Sequence, residues 1–120
     1  MSVGIVGGSV SPSTALTLNA QTGTTYTFVL TDANNTLVTA SNASAQTYTI
    51  PPNSSVAYPI GAQLNIIQIG AAQVSFAQGS GVTIASSGAT STAPKCRVQY
   101  SAATAIKVNT DSWYVVGDIA

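Results

Sequence analysis

The chain has 120 residues, of which 45% are hydrophobic and only 5% are charged, and its three acidic and three basic residues give a net charge of zero. The length favours one domain. The absence of His excludes a Ser-His-Asp or Cys-His nucleophile, and so few basic residues exclude the electrostatic footprint of a nucleic-acid-binding protein. An uncharged surface has little colloidal repulsion, so we expect the protein to function inside an assembly.

Residues 1–18 are predicted to be an N-terminal arm that is extended or disordered until assembly, and residues 19–120 a single β-domain. The arm lacks a basic residue and glycines interrupt its apolar part, so it does not read as a signal peptide. No apolar run is long enough for a membrane helix, and we expect no membrane partner. Four apolar residues of the arm are candidate interface residues: Val3, Ile5, Val6 and Val10.

The first clear strand pattern is the stretch TTYTFVLT at residues 24–31. It alternates, with Tyr26, Phe28 and Leu30 on one face and mainly threonines on the other. The sequence DANN at residues 32–35 has turn chemistry, because Asp and Asn side chains bond back to the backbone. A short return strand, TLVTA, is predicted after this turn.

A stiff, uncharged loop is predicted from Pro51 to Gly61. The strand TYTI at residues 47–50 stops there because proline cannot donate to a β-ladder. Proline has already restricted the chain, so docking this loop on a neighbour would cost little ordering entropy. Five residues in and beside the loop are candidate interface residues: Tyr48, Pro51, Pro52, Tyr58 and Pro59.

The rest of the chain also reads as strands and turns. QLNIIQI at residues 63–69 is the most apolar run and the best candidate for a central strand. QVSFA and GVTIA around QGS are predicted to form one hairpin, and TAIKVN and SWYVVGDI a second, while residues 86–94 are predicted to be an exposed loop. With KCRVQYS at residues 95–101 as a further strand, the fold prediction is all-β: a small antiparallel β-sandwich or barrel of roughly eight to nine short strands.

The reactive side chains indicate structure rather than catalysis. Cys96 has no partner for an intrachain disulfide and is read as a core residue, with a reactive thiol activated by basic neighbours as the alternative. The three basic residues Lys95, Arg97 and Lys107 are predicted to lie on edge strands, where their charge prevents aggregation. Trp113 is expected in the core. Tyr114 points the other way, either as an ordinary surface residue or as an interface anchor.

No cofactor, metal site or enzymatic activity is predicted. One Cys and three scattered Asp cannot close a zinc site, and DANNT lacks the Gly and Glu of a calcium loop. Asp111 and Asp118 are the only carboxylates close in sequence. Nothing in the predicted elements places them across a cleft, as a glycosidase would require.

Several stretches resemble, in their order along the chain, a β-module of tailed-bacteriophage virion proteins. A Tyr-Thr-hydrophobic strand and an Asp turn are followed by Ile50-Pro51-Pro52-Asn53-Ser54, a Pro-hydrophobic-Gly step, a Gly-rich hairpin, a Gln99-Tyr100-Ser101 strand and a final Trp-hydrophobic-Val-Gly-Asp. The resemblance covers residues from about Asn19 onward. It implies a β-rich, often trimeric module of capsid decoration (cement) proteins, head fibres and tail fibres, and it carries no catalytic residues.

The resemblance implies a function as a non-enzymatic virion structural protein. We expect a capsid decoration protein that is synthesised in the host cytoplasm and located on the capsid surface of the virion. Its expected partners are the major capsid protein and itself, as a homotrimer, with no nucleic acid and no membrane. The alternative is a receptor- or glycan-binding module of a phage head or tail fibre, and a depolymerase-type enzyme is a weaker third hypothesis.

Overall fold

The computed structural model describes residues 15–120, which fold into nine β-strands and one short 3₁₀ helix, Leu30–Ala33. The all-β class is therefore confirmed for the described part of the chain. The strands are β1 (Thr17–Gln21), β2 (Thr25–Thr27), β3 (Thr36–Ala40), β4 (Gln46–Ile50), β5 (Gln63–Gln68), β6 (Val74–Gln78), β7 (Thr83–Ser86), β8 (Ala102–Asn109) and β9 (Ser112–Gly117).

The first six strands wind as coils of a short parallel solenoid. The odd-numbered strands β1, β3 and β5 pair in parallel in one sheet, and the even-numbered strands β2, β4 and β6 pair in parallel in a second sheet. Successive strands therefore lie in alternate sheets. Parallel neighbours need a long crossover connection, and here each crossover contains the strand of the other sheet. Such a coil buries its apolar face only by stacking on the next coil.

An antiparallel hairpin completes the first sheet. β8 pairs antiparallel with β5 and with β9, and β7 joins β9 in parallel, which gives a six-stranded sheet in the order β1-β3-β5-β8-β9-β7 beside the three-stranded sheet β2-β4-β6. The prediction of antiparallel pairing is wrong for most of the chain. The period-2 alternation that predicts a strand is the same for parallel and antiparallel neighbours, so it cannot reveal the partner.

One contiguous core contains buried residues of both sheets. Aromatic rings occupy its centre: Phe28 packs nearly parallel to Phe76 at 6.2 Å between ring centroids, and Tyr48 lies 5.8 Å from Phe28. Trp113 of β9 packs edge-on against Tyr58 at 5.4 Å. Large rings of this kind bury the most apolar surface per residue and so contribute most to the stability of a small core.

Several predicted elements are confirmed. β5 is flanked by β3 and β8, as expected for the central strand, and β8 and β9 form the predicted hairpin. The strands predicted at 36–40 and 47–50 are present as β3 and β4, and β4 begins one residue earlier than predicted. β3 does not return along β2 but lies in the other sheet. The β-domain predicted to begin at residue 19 has its first described strand two residues earlier, at Thr17.

Other predicted elements differ from the structure. β6 and β7 do not form a hairpin, since they belong to different sheets. The predicted strand 95–101 is reduced to isolated bridges at Lys95 and Cys96. The strand predicted over residues 24–31 ends at Thr27, and a 3₁₀ helix that contains Asp32 replaces the remainder and part of the predicted turn.

Candidate interaction surface

The outward-facing side of the six-stranded sheet is the outer surface of the larger of the two sheets. Strand register aligns its side chains in rows across the sheet. One row runs Leu18, Leu37, Asn65, Thr104 and Val116. We call this side the outer face, and we define it by these members on β1, β3, β5, β7, β8 and the central part of β9: Leu18, Ala20, Leu37, Thr39, Gln63, Asn65, Ile67, Thr83, Ala85, Ala102, Thr104, Ile106, Tyr114 and Val116.

The outer face combines large exposed apolar side chains with an absence of charge. Leu18 is 66% exposed, Tyr114 55% and Val116 50%. No member of the face is charged, and its polar members are the neutral residues Thr, Asn and Gln. Depletion of charge with retention of aromatic and aliphatic groups is the compositional mark of the central part of a protein interface. A sheet face of this kind is suited to packing against another protein surface.

The ion pair of the described residues lies away from this face. Arg97 forms a bidentate ion pair with Asp118, with Nε at 2.7 Å from one carboxylate oxygen and a terminal nitrogen at 3.1 Å from the other. Hydrogen bonds from Arg97, and then from Ser101, lower the pKa of Asp118, and the hydrogen bond to Asp118 raises the pKa of Arg97. Both side chains are exposed, so this pair contributes little to stability.

The proline-stiffened loop is anchored to the core by two buried residues, Pro51 and Tyr58. Its Tyr58 is 3% exposed, and the hydroxyl donates to the backbone oxygen of Val29 at 2.8 Å. Desolvation by burial raises the pKa of Tyr58. Pro51 is buried as well, while Pro59 and Ile60 are exposed at the turn of the loop.

The structure therefore divides the predicted interface residues. Tyr48 and Tyr58 belong to the hydrophobic core and Pro51 is buried as well, so these three side chains are not exposed to a partner. Pro52 is half-buried and Pro59 exposed. The remaining predicted residues on the arm lie outside the described residues: Val3, Ile5, Val6 and Val10.

The alternation of the last strand is confirmed. Trp113 and Val115 are 2% and 1% exposed, and Tyr114 between them lies on the outer face. The proposed role of Tyr114 as an interface anchor stays a prediction. The sequence analysis did not single out the neighbours of Tyr114 on the outer face, above all Leu18 and Val116. Val116 follows Tyr114 by two residues, and this spacing is the signal that could have placed Val116 on the same face.

A second group missed by the sequence holds the first coil together. The carboxylate of Asp32, 2% exposed, accepts hydrogen bonds from the Tyr26 hydroxyl at 2.6 Å, from Asn19 Nδ2 at 2.9 Å and from the Val29 backbone at 2.9 Å. These contacts tie β1, β2 and the start of the 3₁₀ helix to one side chain. The turn chemistry of Asp32 indicated local bonding, but nothing local indicated its partner on β1.

The reactive side chains considered in the sequence analysis are buried or engaged by other groups. Cys96 is fully buried, and burial raises the pKa of its thiol to about 11, which opposes the reactive-thiol alternative. The Asp111 carboxylate accepts the backbone N–H of Asn53 at 2.8 Å, whereas Asp118 is engaged by Arg97. Residues 15–120 contain no cluster of three or more potential metal ligands. No helix in the same range is long and apolar enough to cross a membrane.

Lys107 has a different environment from the one predicted for it. The sequence predicts that Lys107 lies on an edge strand and prevents aggregation. Its strand β8 instead lies between β5 and β9, and the side chain is 2% exposed. Its Nζ donates to Asn53 Oδ1 at 2.7 Å and to the backbone oxygen of Tyr58 at 2.8 Å. The lysine is therefore buried and secures the proline-stiffened loop from inside.

Comparison with known proteins adds no relative. No family, no curated protein and no solved structure matches this chain. The resemblance to phage virion modules consequently stays an expectation from the sequence.

Proposed function

We propose that the protein is a non-enzymatic structural protein that acts through the outer face, and that it serves as a phage capsid decoration protein in the form of a homotrimer. The observation that carries this proposal is the uncharged, largely apolar side of a six-stranded sheet. A face of this kind is unfavourable as a permanent solvent boundary, and large exposed apolar patches mark interaction sites. We also infer that the two sheets pack face to face as a small sandwich, a proposal supported by the single core that they share.

The exposed members of the outer face are the expected source of binding energy. Fully burying a large aliphatic or aromatic side chain contributes about 1.5–3 kcal/mol. Leu18, Tyr114 and Val116 are half or more exposed before binding, so their burial supplies several such increments without the desolvation of a charge. The sheet backbone is already ordered, which limits the entropy lost on association.

The mechanism of stabilisation is mass action. A protein that binds only the assembled shell lowers the free energy of that shell by its binding free energy. The N-terminal arm can add reach by pairing as a strand with the open sheet edge of a neighbour. β1 is such an edge, because β3 is its only partner strand in the described sheet.

The first test is the solution mass of the purified protein across a concentration series. We expect a stable species of three times the chain mass. The double variant Tyr114→Lys with Val116→Lys places two charges on the outer face and is expected to weaken self-association at least tenfold. Thr90→Lys, in the exposed loop 87–90, is the matched control and should leave the mass unchanged. A wild-type monomer at high concentration would contradict the trimer.

The capsid role needs a separate measurement. Purified protein is added to undecorated phage heads, and the bound copies per head and the temperature of genome release are measured. Hundreds of copies and a higher release temperature are expected, with the double lysine variant deficient in both. A few copies per particle would instead favour the receptor- or glycan-binding alternative. The exposed rings of Tyr100, 68% exposed, and Tyr114 favour that second candidate because aromatic faces stack on sugars.

A further inference from the structure

A buried lysine in direct contact with an asparagine side chain is the most unusual chemical group in the described residues. The ammonium of Lys107 lies inside the sheet, and its two acceptors are both neutral: Asn53 Oδ1 at 2.7 Å and the Tyr58 backbone oxygen at 2.8 Å. The Arg97–Asp118 bridge is the only ion pair within 4.0 Å among residues 15–120, so no carboxylate contacts Nζ directly. Buried charges are normally paired, and this one is not.

Aromatic and backbone groups enclose the lysine and hold it in one position. Lys107 is the cross-strand partner of Trp113, whose ring packs edge-on against Tyr58. Tyr58 in turn provides one of the two acceptors of the amine. This enclosure keeps water away from the amine and fixes it against Asn53, which raises the effective concentration of one group toward the other.

Asn53 is hydrogen-bonded through its backbone N–H and its side-chain oxygen but not through its side-chain nitrogen. Its N–H donates to Asp111 Oδ1 at 2.8 Å, while its Oδ1 accepts from Lys107. No hydrogen bond from Asn53 Nδ2 is formed in the described structure, and the residue is only half-buried. A group leaving from Nδ2 therefore breaks no hydrogen bond of its own.

We propose that Lys107 and Asn53 form an intramolecular isopeptide bond. Nζ gives one proton to solvent before the loop encloses it, and the neutral amine then attacks Cγ of Asn53. The Nζ–Cγ bond forms and the Cγ–Nδ2 bond breaks, and a proton lost by Nζ leaves with Nδ2 as ammonia. No oxidant, metal or co-reactant is needed. The product is a neutral amide in place of a buried charge.

Asp111 acts as a positioning residue in this reaction. It lies in the turn between β8 and β9 and holds the backbone of Asn53 at the site of attack. The bond would tie the proline-stiffened loop to the central part of the six-stranded sheet. It would therefore hold the fold against thermal or mechanical opening independently of the proposed role on a capsid.

Intact mass spectrometry of the full chain tests the proposal. We expect wild-type protein to weigh less than its sequence by the mass of one ammonia molecule. Trypsin cleaves after Lys95, Arg97 and Lys107, the only basic residues, and a modified Lys107 resists cleavage. The digest should therefore contain residues 98–120 uncut and joined to the peptide that carries Asn53.

A substitution separates the cross-link from other losses of ammonia. Cyclisation of Asn53 onto its own backbone also releases ammonia, but it does not need the lysine. Lys107→Arg keeps the charge and the donors and cannot form the amide, so its mass should equal its sequence. Wild-type protein of full sequence mass, or an ammonia loss that persists in Lys107→Arg, would overturn the proposal.

The positioning role has its own readout, the cross-linked fraction of folded protein. Asp111→Asn retains an oxygen acceptor for the Asn53 N–H and should form the bond. Asp111→Ala removes the acceptor and should lower the cross-linked fraction at least tenfold at equal folding time. Equal fractions in the two variants would remove Asp111 from the reaction.

Discussion

Replacing Asp32 by Ala tests whether one buried carboxylate holds the first coil of the solenoid. The substitution leaves three donors without their acceptor: the Tyr26 hydroxyl, the Asn19 amide and the Val29 backbone N–H. A hydrogen bond to a charged group contributes about 1.5–3 kcal/mol. Asn19 and Tyr26 are only half-buried and Val29 is exposed, so water replaces part of each bond. We expect a loss of about 3 kcal/mol in the free energy of unfolding.

Urea unfolding at neutral pH, followed by the fluorescence of Trp113, measures this loss. For a slope of about 2 kcal/mol per molar urea, the midpoint should fall by roughly 1.5 M. Tyr26→Phe is the matched control, because it removes the shortest of the three bonds to Asp32, together with the bond that Asn19 Nδ2 donates to the Tyr26 hydroxyl, and should cost about 1–2 kcal/mol. If Asp32→Ala costs no more than Tyr26→Phe, the carboxylate does not organise the coil and the reasoning is refuted.

Two further predictions concern pH and backbone packing. Burial raises the pKa of Tyr26 and of Tyr48 from 10.0 to about 12, so the folded state holds these protons more tightly than the unfolded state. The free energy of unfolding should therefore be at its full value below pH 10 and fall as the pH rises toward 12. A thermal midpoint that stays constant over this range would contradict the raised pKa values. A Cβ at Gly79 would lie 2.4 Å from the backbone oxygen of Ile50. Gly79→Ala should therefore lower the free energy of unfolding in urea by about 2–3 kcal/mol. Gly23→Ala is the control and should be nearly neutral, because the nearest atom to a Cβ at that position is 3.6 Å away.

Local alternation predicted the strands but not their partners. It placed β5 in the middle of a sheet and joined β8 to β9, because an apolar run and a two-residue turn are visible in the sequence itself. It failed for β6 and β7, which look like a hairpin and yet lie in different sheets. A turn of Gly and Ser permits the chain either to reverse or to cross to the opposite sheet, and the choice depends on contacts outside the turn.

A repeated aromatic position was the sequence signal for the solenoid. Tyr26, Tyr48 and Phe76 are cross-strand partners in the three-stranded sheet, each set in a short Thr- or Ser-containing strand. The intervals between them are unequal because the loops that close the coils differ in length. A search for a fixed period therefore misses the repeat, while the aligned ring positions would have revealed it.

Lys107 illustrates the limit of reading a site from sequence. Its position alternates in phase with Ala103 and Ala105, which face the core, so the pattern alone places it inside. Its charge favours the opposite assignment, because lysines are almost never fully buried without a partner. The acceptors that reverse this preference belong to Asn53 and Tyr58 in a loop far earlier in the chain. The alternation of the strand directs the Lys107 side chain inward, and the acceptors that stabilise it there come from a loop that reaches it only in the folded protein. Asn53, which accepts a hydrogen bond from the buried ammonium, is also the residue that would react in the proposed cross-link. The mass of the intact chain therefore decides between a hydrogen bond and a covalent bond.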